Sequence, residues 1–169
     1  MGNIKQISLV ALLIALGVVI APFFWFPVLG SKAYPGQHMI NAVAGVLLGP
    51  IWAAVIALFV GVIRMSMGIG TIFSIPGGLS GGVIVGLFHL FLKKINHKHP
   101  ELAALIEPMG TIFIGGTLAV YVFAPIAGRE MFLIPVWIGW SFSCIPGAIF
   151  GFIILEILIK TGVFTLLKE

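Results

Sequence analysis

A chain of 169 residues that is 60% hydrophobic and only 8% charged cannot coat a water-soluble globule, because soluble domains carry about 25% charged residues. The composition excludes a soluble enzyme. It predicts an all-α integral membrane protein, a single domain over residues 1–169, with room for five or six spans of about 20 apolar residues and no ATP-binding domain beside them. The net charge of +4, from nine Lys/Arg against five Glu and no Asp, is read as membrane topology rather than as nucleic-acid binding.

The glycine-rich, charge-poor runs favour helices over a barrel, whose strands need alternating polarity. The first span is expected from Ile4 to Phe24. Its apolar run Ile7 to Ala21 could mimic a signal peptide. Pro22-Phe23-Phe24-Trp25 follows instead of a small-residue cleavage site, so it is kept as a span. A loop, Trp25 to Gly36, comes next. The stretch His38 to Met67 holds 30 residues, about 45 Å as one helix and too long for one comfortable span. Gly49-Pro50 interrupts it, since glycine ends helices readily and proline starts them. Two helices, 37–49 and 50–66, are therefore expected.

A loop from Met67 to Pro76 precedes a span from Gly77 to Lys93, and Lys93 to Pro100 forms the plainly polar loop. A span over 104–124 is expected to be interrupted at Glu107-Pro108. The loop 125–134 and a last span, Pro135 to Ile159, complete a six-helix bundle with both termini cytoplasmic. In that arrangement Lys5, Lys93, Lys94, Lys98, Lys160 and Lys168 lie inside, and Lys32, Arg64 and Arg129 lie outside. Five helices with the N-terminus outside divide the charges equally well. The length of 38–67 and its Gly-Pro break decide for six. Small-residue ladders (Gly45/Gly49, Ala53/Ala57/Gly61, Gly78/Gly82/Gly86, Gly147/Gly151) suit close helix packing in lipid.

Little here can do covalent chemistry. Gly77-Gly78-Leu79-Ser80-Gly81-Gly82 lacks the lysine of a phosphate-binding loop. The lone Cys144 allows neither a disulfide nor a cysteine metal cluster. The scattered Glu residues suggest no buried acid–base pair, and neither a cofactor nor a metal site is expected. His97 and His99 beside lysines read as a solvated basic loop, and His89 as a packing residue.

Polar residues gather at the outer helix ends. Gln37 and Asn41, four apart, share a helical face beside His38, and Tyr34 precedes them. They either bind a small polar heterocycle through amide and imidazole hydrogen bonds or form a solvated loop with a capping amide. Arg64 either snorkels to the outer surface or lines a cavity. Trp137, Trp140, Ser141 and Cys144 lie on one helical face, as interfacial anchors or as an aromatic wall with hydroxyl contacts. Glu107 is a candidate by default as an intramembrane acid, or it favours a helix N-terminus near the cytoplasmic end.

Two sequence runs resemble a known family. Ala11-Leu12-Leu13-Ile14-Ala15 looks like the alanine-x-x-x-alanine docking motif of substrate-binding (S) subunits of energy-coupling factor (ECF) transporters. The run Tyr34-Pro35-Gly36-Gln37-His38-Met39-Ile40-Asn41, continuing through Gly49-Pro50-Ile51-Trp52-Ala53, Arg64, Gly68-Ile69-Gly70-Thr71 and Pro76-Gly77, is similar to the ThiW-type S subunit. The likeness extends over most of the chain. It implies six helices with cytoplasmic termini in a bacterial or archaeal cell membrane. It also implies capture of hydroxyethylthiazole at the outer face, and work with a transmembrane coupling subunit and two ATPase subunits. Ala11 and Ala15 would be the positions packed against the coupling subunit. The first loop is expected to act as a lid, with Gly30 and Gly36 as flexible points.

Other readings keep the class and change the cargo to hydroxymethylpyrimidine, thiamin or another vitamin. Thiamin should demand a carboxylate, and Glu107 seems badly placed for it. A scaffold subunit that transports nothing is the alternative from another class.

Overall fold

The computed structural model describes residues 3–28 and 30–168. Helix α1 runs over Asn3–Ile20. An antiparallel hairpin follows, β1 (Phe26–Val28) and β2 (Ser31–Ala33), with Phe26 opposite Ala33 and Val28 opposite Ser31. Gly30 sits in its turn at φ 75°, a left-handed conformation that glycine adopts at little cost. The expected first loop is thus a formed ribbon.

Helix α2 (Pro35–Leu48) begins with proline in its first turn. Gly49, at φ 84°, separates it from α3 (Pro50–Ser66), which also begins with proline. The Gly-Pro break divides the long apolar stretch where the sequence indicated. Gly36 lies in the first turn of α2 rather than in the loop, and a Cβ there would meet Ile20 Cγ2 at 2.8 Å.

Helix α4 (Ser74–Lys94) starts three residues before the expected Gly77. The polar link after it contains Asn96 at φ 53°. A helical segment, α5, then spans Pro100–Ile126, and the Glu107-Pro108 dipeptide does not interrupt it. The helix changes gauge instead, opening as 3-10 turns over Pro100–Ile106 and widening into π-helical turns over Met109–Gly115 and Ala119–Phe123. Pro108 has no N–H to donate back one turn, so the ladder must rearrange around it. Helix α6 (Leu133–Lys160) is 28 residues long and α7 (Val163–Lys168) is short.

The short α2 is the centre of the bundle, packed against α6 on one side and α4 on the other, with α1 and α3 also touching it. Its Asn41, Ala42, Val43, Ala44, Gly45 and Val46 are all buried. Glycines set the approach. The face of α4 at Gly86 rests on the backbone of Gly49 and Pro50, and Gly45 faces Val85. Bulky apolar side chains point outward on every long helix, among them Ile51, Phe59, Phe91, Ile138 and Ile153, as lipid contact requires. Helices α4, α5 and α6 are long and apolar enough to cross a bilayer, while the apolar stretches in α1 and α3 are shorter. The protein is therefore an all-α membrane protein.

Candidate functional site

A cavity of about 990 Å³ lies at the hairpin end of the bundle, at the top of the size range of small-molecule sites. The hairpin, the first turn of α2, the end of α3 with the loop 68–73, and the first turns of α4 and α6 enclose it.

Helix α2 supplies the inner wall. Its proline start points Gln37 and His38 into the cavity, and Asn41, one turn deeper, is 1% exposed. Helix α5 meets it from across the bundle with Glu107 and Thr111, four residues apart and both fully buried. Glu107 Oε1 collects a three-part cluster: His38 Nδ1 at 2.8 Å, Asn41 Nδ2 donating at 3.1 Å and Thr111 Oγ1 donating at 2.7 Å. The Thr111 hydroxyl also faces the Gly77 carbonyl at 3.1 Å, so its single proton has two acceptors within reach. Gly81 of α4 makes room for the cluster, because a Cβ there would collide with both Glu107 Oε1 and Thr111 Oγ1. Glu107 Oε2 has no partner among the described residues.

Glu107 lies within α5 rather than at its first residue. It lies directly beneath the cavity, behind His38 and Thr111, which line it. The His38–Glu107 contact is also an acid–base pair, its carboxylate fully buried and its imidazole partly exposed at the cavity. The sequence suggested none, because the partners stand 69 residues apart and nothing local joins them.

Arg64 enters from the last turn of α3. It does not snorkel: it is 2% exposed and lines the cavity. Its Nη1 donates to Gln37 Oε1 and its Nη2 to the Ile69 carbonyl at 3.3 Å, while the guanidinium carbon lies 4.5 Å from the centre of the Tyr34 ring. This is cation–π geometry. Gln37 Nε2 donates in turn to the Ser74 carbonyl at 3.4 Å. Arg64 is thus positioned by amide, carbonyl and ring, with no carboxylate in contact among the described residues.

Helix α6 supplies the opposite wall through Val136, Gly139, Trp140 and Ser143. Ser143 Oγ accepts a hydrogen bond from the Tyr34 backbone N–H at 3.1 Å, tying α6 to the end of the hairpin. The expected face of α6 needs correcting. Trp140 does line the cavity, but Trp137 stacks edge-on against Phe113 at 4.9 Å, and Ser141 returns its hydroxyl to the Ile138 carbonyl. Neither of these two lines the cavity.

Tyr34, Gln37, His38, Arg64 and Trp140 are thus brought together around the cavity, with Asn41 and Glu107 below. Sequence reasoning missed Thr111 and Ser143. One turn after Glu107 and three residues after Trp140, they were accessible only with the rotation of both helices known. Among residues outside the site, His89 Nδ1 faces the Pro100 carbonyl at 3.0 Å and His99 pairs with Glu101 at 2.9 Å. Among the described residues no group of His, Cys, Asp and Glu could hold a metal ion. Ala11 and Ala15 lie exposed on one stripe of α1.

An aromatic wall, several fixed amide and hydroxyl groups and a buried guanidinium suit recognition of a small polar ring. A protein-family model described as "Thiamine-precursor transporter protein (ThiW)" matches residues 7–161. No curated protein and no solved structure matches the chain.

Proposed function

Because this chain belongs to the ThiW family of thiamine-precursor transporters, we propose that it is the substrate-capture (S) subunit of an ECF transporter, taking hydroxyethylthiazole from outside the cell. The observation that carries this reading is the cavity itself. It is open to a ligand at one end of the bundle and closed below by the His38–Glu107–Asn41–Thr111 cluster. A capture subunit needs such a dead end. The thiazole ring would stack on Trp140, with its hydroxyl and ring nitrogen meeting the polar groups of α2 and α3. The hairpin would close over it as a lid.

In this reading all six helices, α1 to α6, cross the cell membrane and both termini are cytoplasmic. ATP is hydrolysed by two ATPase subunits, to which this chain connects through a transmembrane coupling subunit. Ala11 and Ala15 leave a shallow strip on the outer face of α1, where a partner helix can approach closely. Ala15→Trp should abolish uptake in cells carrying the whole transporter and leave ligand binding by the purified chain unchanged within about twofold. Uptake that survives this substitution would remove the docking assignment.

Glu107 favours thiamin as a second cargo, because a thiazolium cation wants a carboxylate and this one lies just below the cavity. Three donors already crowd Oε1, however, and His38 and Thr111 stand between it and the ligand. Parallel titrations with hydroxyethylthiazole, hydroxymethylpyrimidine and thiamin decide. Hydroxyethylthiazole should bind tightest, and tightest binding by either other compound would overturn the choice of cargo. A scaffold subunit would bind none.

A further inference from the structure

The charges on the cavity wall are of one sign. Among the described residues Arg64 and Lys32 line it, and no carboxylate does. Glu107 is fully buried behind its donors, and the ion pairs among the described residues are His38–Glu107, His99–Glu101 and Lys160–Glu156. Both wall cations are held by aromatic faces instead: the Lys32 ammonium lies 4.0 Å from the Trp25 ring centre, and Arg64 lies over Tyr34. A ring positions a cation without neutralising it. Arg64 is 2% exposed, and its Nε has no hydrogen-bond partner. Burying a guanidinium without a counter-ion is costly, and that cost falls when an anion enters beside it.

From this we infer that the cavity prefers a cargo bearing an anionic oxygen group, a phosphate monoester or a carboxylate on a small heterocycle, with the anion held between Arg64 and Lys32. Arg64 Nη1 and Nη2 each carry a second N–H beyond their contacts with Gln37 and Ile69, and these are the donors an oxyanion would take. Lys32, on the hairpin, carries the second charge towards the ligand when the ribbon closes. The volume accommodates this: about 990 Å³ is generous for one five-membered ring and leaves space for a charged substituent. The inference rests on the capture reading above for the site, but not on the identity of the ring.

The test crosses ring with charge on the full-length chain in detergent, titrated by calorimetry with four compounds and a fifth that varies the anion. The four are hydroxyethylthiazole and its phosphate monoester, and hydroxymethylpyrimidine and its phosphate monoester. The thiazole carrying a carboxylate in place of the hydroxyethyl group distinguishes the two anion classes. For whichever ring binds, the better of its anionic forms should bind about tenfold tighter than the neutral alcohol, the difference between a charge-assisted and a neutral hydrogen bond. Arg64→Gln should erase that preference, bringing the anion-to-alcohol affinity ratio close to one. Lys32→Gln, at an exposed position on the hairpin, should reduce the preference about threefold. Anionic forms bound no tighter than the alcohol would overturn the inference, as would an Arg64→Gln variant that weakens alcohol and anion equally. Should Arg64→Gln fail to fold, the Lys32→Gln ratio decides, and an unchanged ratio counts against the inference. Pyrimidines binding in place of thiazoles would overturn the cargo instead, and the ester-to-alcohol ratio would still be read. No binding by any compound overturns both.

Discussion

Glu107→Leu should lower the stability of the purified protein by about 3–5 kcal/mol, the usual cost of removing one member of a buried charged network. The carboxylate oxygen Oε1 serves His38, Asn41 and Thr111 together. Leucine leaves Asn41 and Thr111 buried with an acceptor gone, and a stranded buried donor costs about 1–3 kcal/mol. Glu107→Gln keeps a carbonyl oxygen in a similar place and should cost much less, about 1–2 kcal/mol. Denaturation in one detergent, followed by the loss of helical signal, reads both variants. A leucine variant as stable as the parent would mean that α2 and α5 are not joined through this residue.

The second large effect belongs to a residue with no side chain. Gly86→Ala should cost about 3 kcal/mol, the upper end of the range for overpacking, and should reduce the yield of folded protein. A Cβ at Gly86 would run into the nitrogen and Cα of Pro50 and lie 2.8 Å from the Gly49 carbonyl carbon. These are backbone atoms at the joint between α2 and α3, and no rotamer change can move them away. Gly77 offers a contrast: a Cβ there meets the Trp140 ring at 2.9 Å, a side chain with some freedom to shift. Folded yield and the unfolding midpoint of Gly86→Ala beside the parent give the measurement. An unchanged midpoint would show that the α2–α3 joint does not rest on α4.

Local signals in the sequence were enough to divide the chain into helices. Gly49-Pro50 marked the break between α2 and α3 because both residues act on their own backbone, and the glycine ladder of α4 marked a packed face for the same reason. The hairpin was hidden because its strands are three residues each and one contains Pro27, a poor strand former outside edges. The gauge changes in α5 were hidden because Pro108 normally signals an end. Here the helix is held together by α4 and α6 packed along it.

The site was legible on α2, where Gln37, His38 and Asn41 follow one another within two turns. It was not legible across helices. Hydropathy gives the depth of Glu107 only loosely and says nothing of its rotation about α5, so its meeting with Asn41, 66 residues away, could not be read. On α6 the expected face through Trp137, Trp140, Ser141 and Cys144 is turned from the observed one through Val136, Trp140 and Ser143. The two share Trp140, so a modest rotation exchanged every other residue.

Gly139 offers the most direct test that the cavity is where cargo is held. It lines the cavity, and a Cβ built on it meets nothing within 4 Å. Gly139→Trp starts an indole from this unobstructed position into the cavity. Titration of the variant with hydroxyethylthiazole should show binding weakened at least a hundredfold, with the unfolding midpoint of the ligand-free protein unchanged or raised. Binding at parental affinity, in a variant that folds normally, would place the cargo elsewhere and contradict the account at its root.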